Sequence, residues 1–281
     1  MPELPEVETM VRGIRSNCAG RLIESVEFVA IERRPIFVFP SREEILDRVQ
    51  GLRIRAVSRL AKRVVLETDS DEFFVIEPRM TGLMVISDPP TREHRRVVWH
   101  FRSEPGLTDR VEFWDRRGLG TVSFFNSEQM VALRNRVGPD ALEISPEEWK
   151  LRLGKTTREI KVALLDQQLV AGIGNLYASE ILHRSRISPL QTAATLTTQQ
   201  VERLWESTRH ILSEAIRYEG STLNDGTYRN ALNKDGGYQS HHLVYQRADE
   251  KCLSCMTTDI QKIMQAQRVT FFCPKCQKFR K

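Results

Sequence analysis

The sequence lacks any apolar run of the about 20 residues that a membrane-spanning helix requires. Its first residues also lack the apolar centre of a secretory signal, because Glu3, Glu6, Glu8, Arg12 and Arg15 interrupt them. There is no internal repeat and no low-complexity tract. Cysteine is scarce, with 5 among 281 residues. These absences argue against a membrane protein and predict a cytosolic one, whose cysteines stay reduced unless they bind metal.

Four of the five cysteines fall in two pairs, Cys252-x2-Cys255 and Cys273-x2-Cys276. Two such pairs at this separation supply four thiolates to one tetrahedral ion, and the spacing favours zinc. Disulfides are the alternative, which a reducing compartment disfavours. Because four cysteines close the coordination shell, we expect one structural Zn²⁺ that needs no histidine ligand.

Positive charge is concentrated at the end of the chain. The net charge is +5 and the sequence pI is about 9.0. From Lys251 onward there are seven lysines and arginines but one acidic residue, Asp259. This basic end predicts contact with phosphate. A solubilising tail is the alternative, although such tails do not usually carry four cysteines.

Hydrophobic periodicity divides the chain into a β-rich part and a helical part. Apolar residues at helical spacing predict a helix over residues 5–19, with Cys18 buried. Short apolar runs between turn residues predict an antiparallel sandwich or barrel over residues 52–125. The pattern becomes helical beyond a hinge at residues 136–140, and residues 219–240 are expected to form a mobile loop.

The first residues combine a proline with an acid. Removal of Met1 would leave Pro2 as a secondary amine, and an amino terminus has a pKa of about 7.7 to 8.0. Its neutral form can attack an aldehyde-level carbon and form an iminium, with Glu3 beside it as a general acid or base. The alternative is an inert end of the chain that merely starts a helix.

A second local pattern, Gly172-Ile173-Gly174-Asn175, opens a predicted helix. It lacks the third small residue of a dinucleotide-binding fingerprint. A glycine turn at a helix start still presents free N–H groups to an anion. An ordinary turn between two helices remains the alternative.

Five motifs occur in order along nearly the whole chain. They are PELPEVET from Pro2, AK at Ala61, RMTG from Arg79, GIGNLYASE from Gly172 and the terminal QRVTFFCPKCQK. Together they resemble the formamidopyrimidine-DNA glycosylase (Fpg or MutM) family, whose sister is endonuclease VIII (Nei). Each motif is short, but the ordered set is specific.

The resemblance implies an α+β multidomain fold. We expect an N-terminal antiparallel β-sandwich with flanking helices over residues 1–137. A helical domain with a helix–two-turn–helix element follows over residues 138–240, and a β-hairpin zinc finger over residues 241–281.

The resemblance also implies a function: a bacterial-type cytoplasmic repair enzyme, expected as a monomer, that acts on double-stranded DNA with oxidised bases. It would release 8-oxoguanine and formamidopyrimidines and cut the strand by β,δ-elimination. The implied catalytic residues are Pro2, Glu3, Lys62 and Arg268. The implied DNA-binding residues are Met80, His94, Arg117, Leu119, Lys155, Lys161 and Asn175.

Some positions depart from the family pattern. Leu119 stands where the family usually has phenylalanine, and Gly118 where it has a basic residue. Glu77 and Pro78 replace a usual histidine and leucine, and Arg96 replaces a histidine. Lesion and opposite-base preference therefore stay open. An endonuclease VIII-like enzyme for oxidised pyrimidines and a non-catalytic zinc-dependent DNA binder are the alternatives.

Overall fold

The computed structural model describes residues 2–31, 34–223 and 225–278. The chain forms two compact units. The first comprises Met1–Asn135 and Ile216–Gln239, and the second comprises Arg136–Ala215 and Ser240–Lys281. This division differs from the three expected domains, because residues 216–239 pack with the N-terminal part of the chain. The three-domain boundaries stay a prediction.

The described residues of the first unit form two sheets with flanking helices. Its elements are α1 (Leu4–Cys18), β1 (Ile23–Phe28), β2 (Phe37–Phe39), α2 (Arg42–Val49), β3 (Ile54–Leu60), β4 (Arg63–Thr68), β5 (Phe73–Glu77), β6 (Gly82–Val85), a 3₁₀ turn (Arg92–His94), β7 (Arg95–Phe101), β8 (Arg110–Asp115), β9 (Thr121–Phe125) and α3 (Ser127–Arg136). One sheet has the order β1-β7-β8-β6 and the other β2-β9-β5-β4-β3. Every pairing is antiparallel except that of the short β2 with β9.

The two sheets and α1 share one apolar core. Phe74 on β5 and Trp99 on β7 join the sheets, with ring centroids 5.5 Å apart in an edge-to-face contact. The apolar stripe of α1 is buried on this core, and Cys18 is fully buried, as the sequence predicts. The predicted helix at the start of the chain and the antiparallel β structure are confirmed.

The segment from residue 219 to 239 has little regular structure, but it is anchored. Tyr228 and Ala231 are buried in the core of the first unit. A Cβ atom on Gly13 of α1 would lie only 2.5 Å from the Cβ of Ala231, so glycine permits this close approach. The segment is thus irregular, as expected, and packed against α1, while its mobility stays a prediction.

The second unit is helical and ends in a hairpin. Its elements are α4 (Pro146–Leu153), α5 (Ile160–Leu164), α6 (Asn175–Arg184), a 3₁₀ turn (Ala193–Thr195), α7 (Thr198–Arg217), β10 (Gln261–Gln265) and β11 (Arg268–Phe272). A further 3₁₀ turn spans Tyr238–His241. β10 and β11 form the predicted antiparallel hairpin. Within the described ranges, no helix is long and apolar enough to cross a bilayer.

Candidate active site and nucleic-acid interface

Pro2 and Glu3 lie buried immediately before α1. The Glu3 N–H donates to Glu6 Oε2 at 2.9 Å, and the Ser221 N–H donates to Glu6 Oε1 at 2.9 Å. Both oxygens of this buried carboxylate therefore accept backbone N–H groups. Gly220 makes room for it, because a Cβ there would lie 2.9 Å from Glu6 Oε1. Glu6 fixes the backbone next to the expected nucleophile, a role that sequence reasoning missed.

Lys62 lies at the turn between β3 and β4, where Ala61 has a φ of 56°. The hairpin is tied to α1 through Glu8, whose carboxylate lies 3.0 Å from Arg59 Nε and 2.8 Å from Arg12 Nε. Burial alone would raise the pKa of Glu8, but the hydrogen bonds from Arg12 and Arg59 outweigh it and lower the pKa. The ionised carboxylate thus joins the hairpin of Lys62 to the helix that follows Pro2.

Glu77, a departure from the family pattern, holds two arginines. Its Oε2 lies 2.9 Å from Arg63 Nη2 and its Oε1 lies 3.0 Å from Arg79 Nε. Arg63 directly follows Lys62, and Arg79 directly precedes Met80. The three groups carry a net single positive charge beside Lys62. The anionic replacement is therefore neutralised within the protein.

The residues of the expected wedge adjoin one hydrogen-bonded cluster. Thr81, next to Met80, donates from its hydroxyl to Asp115 Oδ1. The Arg117 N–H donates to Thr81 Oγ1 at 3.0 Å, and the Gly120 N–H donates to Asp115 Oδ2 at 2.8 Å. The buried Asp115 thus fixes the loop of Arg117 and Leu119 beside Met80. Asp115 and Thr81 are further residues that the sequence analysis did not single out.

Two of the departures support this wedge loop. Gly118 has a φ of 60°, and a Cβ there would lie 2.3 Å from the Arg34 carbonyl oxygen. A basic side chain at this position would be strained. Arg96 is buried and donates to the carbonyl oxygens of Asp115 at 2.7 Å and Arg34 at 3.1 Å. Arg96 therefore braces both segments that the glycine brings together.

His94 lies in the 3₁₀ turn before β7 and is buried, with 4% of its surface exposed. Its ring meets Trp114 edge to face at 5.5 Å, and its Nε2 lies 3.1 Å from Glu93 Oε1. The expected contact of His94 with DNA is untested and stays a prediction.

In the second unit, three segments that were expected to bind DNA meet at Asn175. Lys161 on α5 donates from Nζ to Asn175 Oδ1 at 2.7 Å, and Asn175 Nδ2 donates to the Val269 carbonyl at 2.9 Å. Val269 follows the exposed Arg268 on β11. Lys161 itself is fully buried. Lys155 lies exposed in the turn after α4 and, in the described part of the chain, is not part of this group.

The four paired cysteines converge. Their sulfur atoms all lie within 4.8 Å of one another, with Cys252–Cys276 and Cys255–Cys273 each at 3.8 Å. Zinc–sulfur bonds of about 2.3 Å in a tetrahedron place the sulfurs about 3.8 Å apart, whereas a disulfide needs about 2.05 Å. The donor set fits one structural zinc, and the disulfide alternative is wrong.

Two buried side chains of α6, Glu180 and His183, contact the finger. The Glu180 carboxylate accepts the N–H groups of Leu243, Val244 and Tyr245 at 2.8–2.9 Å. Burial raises the pKa of Glu180, against the effect of these three donors. His183 Nε2 lies 3.6 Å from Cys252 Sγ. Burial, with Arg186 and Arg247 nearby, lowers the pKa of His183 to about 4. Neither role is visible from local sequence.

Three family models match the chain in order. They describe a formamidopyrimidine-DNA glycosylase N-terminal domain over residues 1–122, its H2TH domain over residues 137–227, and a zinc finger found in FPG and IleRS over residues 249–278. A formamidopyrimidine-DNA glycosylase of Chloroflexus aurantiacus is 39% identical over 279 residues, which cover 99% of this chain and 98% of the relative. The chain belongs to the formamidopyrimidine-DNA glycosylase family.

Other members of the family are similar over the whole chain. The formamidopyrimidine-DNA glycosylase of Streptococcus pneumoniae strain R6 is 33% identical, covering 99% of both chains. A crystal structure of a Lactococcus lactis FPG mutant with Fapy-dG containing DNA matches with a TM-score of 0.87 at 31% identity, covering 99% of this chain and 100% of that one. The MutM (FPG) protein of Thermus thermophilus matches with a TM-score of 0.85 at 31% identity, covering 100% of both.

Proposed function

We propose that this Fpg-family protein is a bifunctional DNA glycosylase of base excision repair. It is a DNA-formamidopyrimidine glycosylase with DNA-(apurinic or apyrimidinic site) lyase activity, and its bases are 8-oxoguanine and formamidopyrimidines. The observation that carries this proposal is the fixed start of α1. There Glu6 holds the Glu3 backbone, and Glu8 ties the same helix to the Lys62 hairpin.

Pro2 acts as the nucleophile once Met1, which lies outside the described residues, has been removed. Its neutral amine attacks the sugar C1′, the damaged base departs, and the nitrogen–carbon bond becomes an iminium. The iminium acidifies the neighbouring sugar hydrogens, so that successive β- and δ-eliminations break the strand on both sides. Glu3 transfers protons, Lys62 assists the first elimination and Arg268 acts in the second.

DNA binding draws on both units. Met80, Arg117 and Leu119 enter the duplex from the cluster that Asp115 organises, while His94 contacts the backbone. Asn175 and Arg268 bind phosphates, and Lys155 adds charge. The buried Lys161 supports Asn175 through its hydrogen bond at 2.7 Å and keeps positive charge behind that amide. The zinc, held by four cysteines, fixes the hairpin that carries Arg268.

An alternative substrate preference is supported by three residues that depart from the family pattern. Glu77, Gly118 and Leu119 lie where the family usually has other residues, close to the groups that meet the damaged base pair. An endonuclease VIII-like preference for oxidised pyrimidines is therefore the second candidate. Base release from matched duplexes with 8-oxoguanine or an oxidised pyrimidine distinguishes the two.

The decisive experiment is borohydride trapping on single-lesion duplexes. The processed enzyme should form a covalent complex, whereas a variant whose N-terminal extension blocks Met1 removal should bind DNA without trapping. Equal trapping by the extended protein would move the nucleophile to Lys62. Glu3→Gln should bind lesion DNA but release little base. A protein that binds damage but never traps would be the non-catalytic binder.

The proposal includes the cellular compartment and the oligomeric state of the enzyme. The relatives are bacterial proteins, and the substrate is chromosomal duplex DNA, which supports a cytoplasmic enzyme. We propose that it works as a monomer, so that one chain supplies every residue named above.

A further inference from the structure

In the second unit, a buried histidine contacts one of the four cysteines of the metal site. The histidine itself is not needed as a ligand. His183, in the last turn of α6, is 1% exposed, and Cys252 is fully buried. Their atoms Nε2 and Sγ are 3.6 Å apart, across 69 positions of sequence. This separation is that of a hydrogen bond to sulfur, and the tetrad is already complete without the imidazole.

Thiolate ligands that are shielded from water need hydrogen-bond donors. Four thiolates around Zn²⁺ leave a net charge of about −2, which burial disfavours. Cys273 Sγ accepts the Cys276 N–H at 3.4 Å, and Cys255 Sγ accepts the Thr257 hydroxyl at 3.5 Å. In the described part of the chain, the polar contact at Cys252 Sγ other than a fellow cysteine comes from His183. One of the two fully buried thiolates thus depends on a side chain from another element.

The metal fixes which nitrogen carries the proton. Zinc-bound sulfur has no hydrogen, so the imidazole must donate from Nε2 and hold a lone pair on Nδ1. Nδ1 meets no hydrogen-bond partner among the described atoms. We propose that His183 donates a hydrogen bond from Nε2 to the zinc-bound thiolate of Cys252, and so positions the zinc finger on α6 and protects its sulfur.

This bond would give α6 a third connection to the finger. Asn175 at the start of the helix holds the Val269 carbonyl on β11, and Glu180 holds the backbone of residues 243–245. His183 adds a tie to the metal ligand itself. The hairpin that carries Arg268 is then held from the metal side and from the phosphate-binding side of one helix. The inference stands whether or not Pro2 is the nucleophile.

The direct test uses the full-length protein with ¹¹³Cd in place of zinc. NMR should show a coupling between the metal and a histidine Nε2 proton, transmitted through the N–H···S bond. His183→Phe, which keeps a ring but has no donor, should lose this coupling. His242→Phe, which replaces another buried histidine of the same unit, should keep it. A His183 proton found on Nδ1, or a Nε2 proton without coupling to cadmium, would overturn the proposal.

A kinetic test measures protection of the sulfur. Zinc release to a chromogenic chelator under peroxide should be about tenfold faster in His183→Phe, the lower end of effects seen when the partners of metal ligands are removed. His183→Gln, which can donate from its amide, should restore most of the protection, and His242→Phe should match the parent. Parent-like release from folded His183→Phe contradicts the proposal. If that variant fails to fold, the coupling in the parent protein decides.

Discussion

The two units hold the groups that are expected to face DNA by different means. In the first, carboxylates organise the expected site against a large core: the buried Glu6 and the partly buried Glu8 fix the start of α1, and the buried Asp115 fixes the wedge loop. In the second, the finger has an apolar cluster of only Val244, Cys252, Ile260 and Cys273, with three partly buried neighbours. Such a small core needs a metal. Side-chain hydrogen bonds thus hold groups in both units, and the second unit needs metal coordination as well.

Removal of the metal should have the largest effect, and it should act on the second unit. Cys273→Ser should lose zinc, because metal binding and folding of so small a module are coupled. DNA affinity should fall at least about tenfold, or about 1.4 kcal/mol, since Arg268 and Val269 lose their fixed positions. Metal analysis and a binding titration measure both effects.

The first unit should stay folded when the zinc is lost. Trp99 and Trp114 lie in its core and report its packing through near-ultraviolet circular dichroism. Cys18→Ser, which changes the cysteine outside the tetrad, is the control for zinc content and should keep the full metal complement. Unchanged DNA affinity in the zinc-free protein would remove the finger from the DNA site.

A change in the first unit removes one of its buried carboxylates. Glu6→Gln brings an amide NH₂ against one of two backbone donors, so either the Glu3 N–H or the Ser221 N–H loses its hydrogen bond to residue 6. An unsatisfied buried donor costs about 1–3 kcal/mol, and urea unfolding should show a loss in this range. Trapping should slow as well, because the backbone beside Pro2 is no longer fixed. Zinc content should not change.

Glu43→Gln is the matched control for that change, since Glu43 lies exposed in the first turn of α2. It should leave the trapping rate at the parent value and cost much less unfolding free energy than Glu6→Gln, because an exposed charge in a first helical turn contributes little. Parent-like stability of Glu6→Gln would mean that the carboxylate does not organise the start of α1.

The wedge loop of the first unit depends on the backbone conformation at Gly118 as well as on hydrogen bonds. Gly118→Ala must hold a φ of 60° and bring a Cβ within 2.3 Å of the Arg34 carbonyl, so something has to shift. Gly106→Ala has a φ of 79° but open space around it, and carries the conformational cost alone. We expect Gly118→Ala to lose about 1–3 kcal/mol of stability and Gly106→Ala less. Equal losses would show that the close approach to Arg34 is irrelevant.

Local pattern predicted most of the secondary structure, and long-range contacts explain what it missed. The helix from residue 5, the strands after residue 52 and the cysteine tetrad each depend on neighbours in sequence. β2 has three residues and pairs with β9 far along the chain. Glu6 meets Ser221 across 215 positions, and His183 meets Cys252 across 69. No periodicity marks such pairs. Motif order supplied the site residues, and their individual roles stay predictions.

The smallest expected effect concerns Leu119, whose side chain is itself expected to meet DNA. Extrusion of a nucleotide leaves a gap in the duplex, and the unstacking of its base costs a few kcal/mol. Phenylalanine recovers part of this by stacking, worth about 1–3 kcal/mol per base, whereas leucine offers only an apolar surface. Leu119→Phe should therefore bind intact and lesion duplexes more tightly, with little change in single-turnover base release. The Asp115 cluster that fixes the loop is untouched by this change.

Leu119→Ala tests the same position in the opposite direction. It should weaken lesion binding and slow extrusion, because alanine fills less of the gap. Fluorescence of 2-aminopurine beside the lesion follows extrusion, and single-turnover release follows the chemistry. Leu151→Ala, an exposed leucine on α4, is the control and should leave both signals at parent values. If Leu119→Ala extrudes and cleaves at the parent rate, Leu119 does not enter the duplex, and Met80 with Arg117 must fill the gap alone.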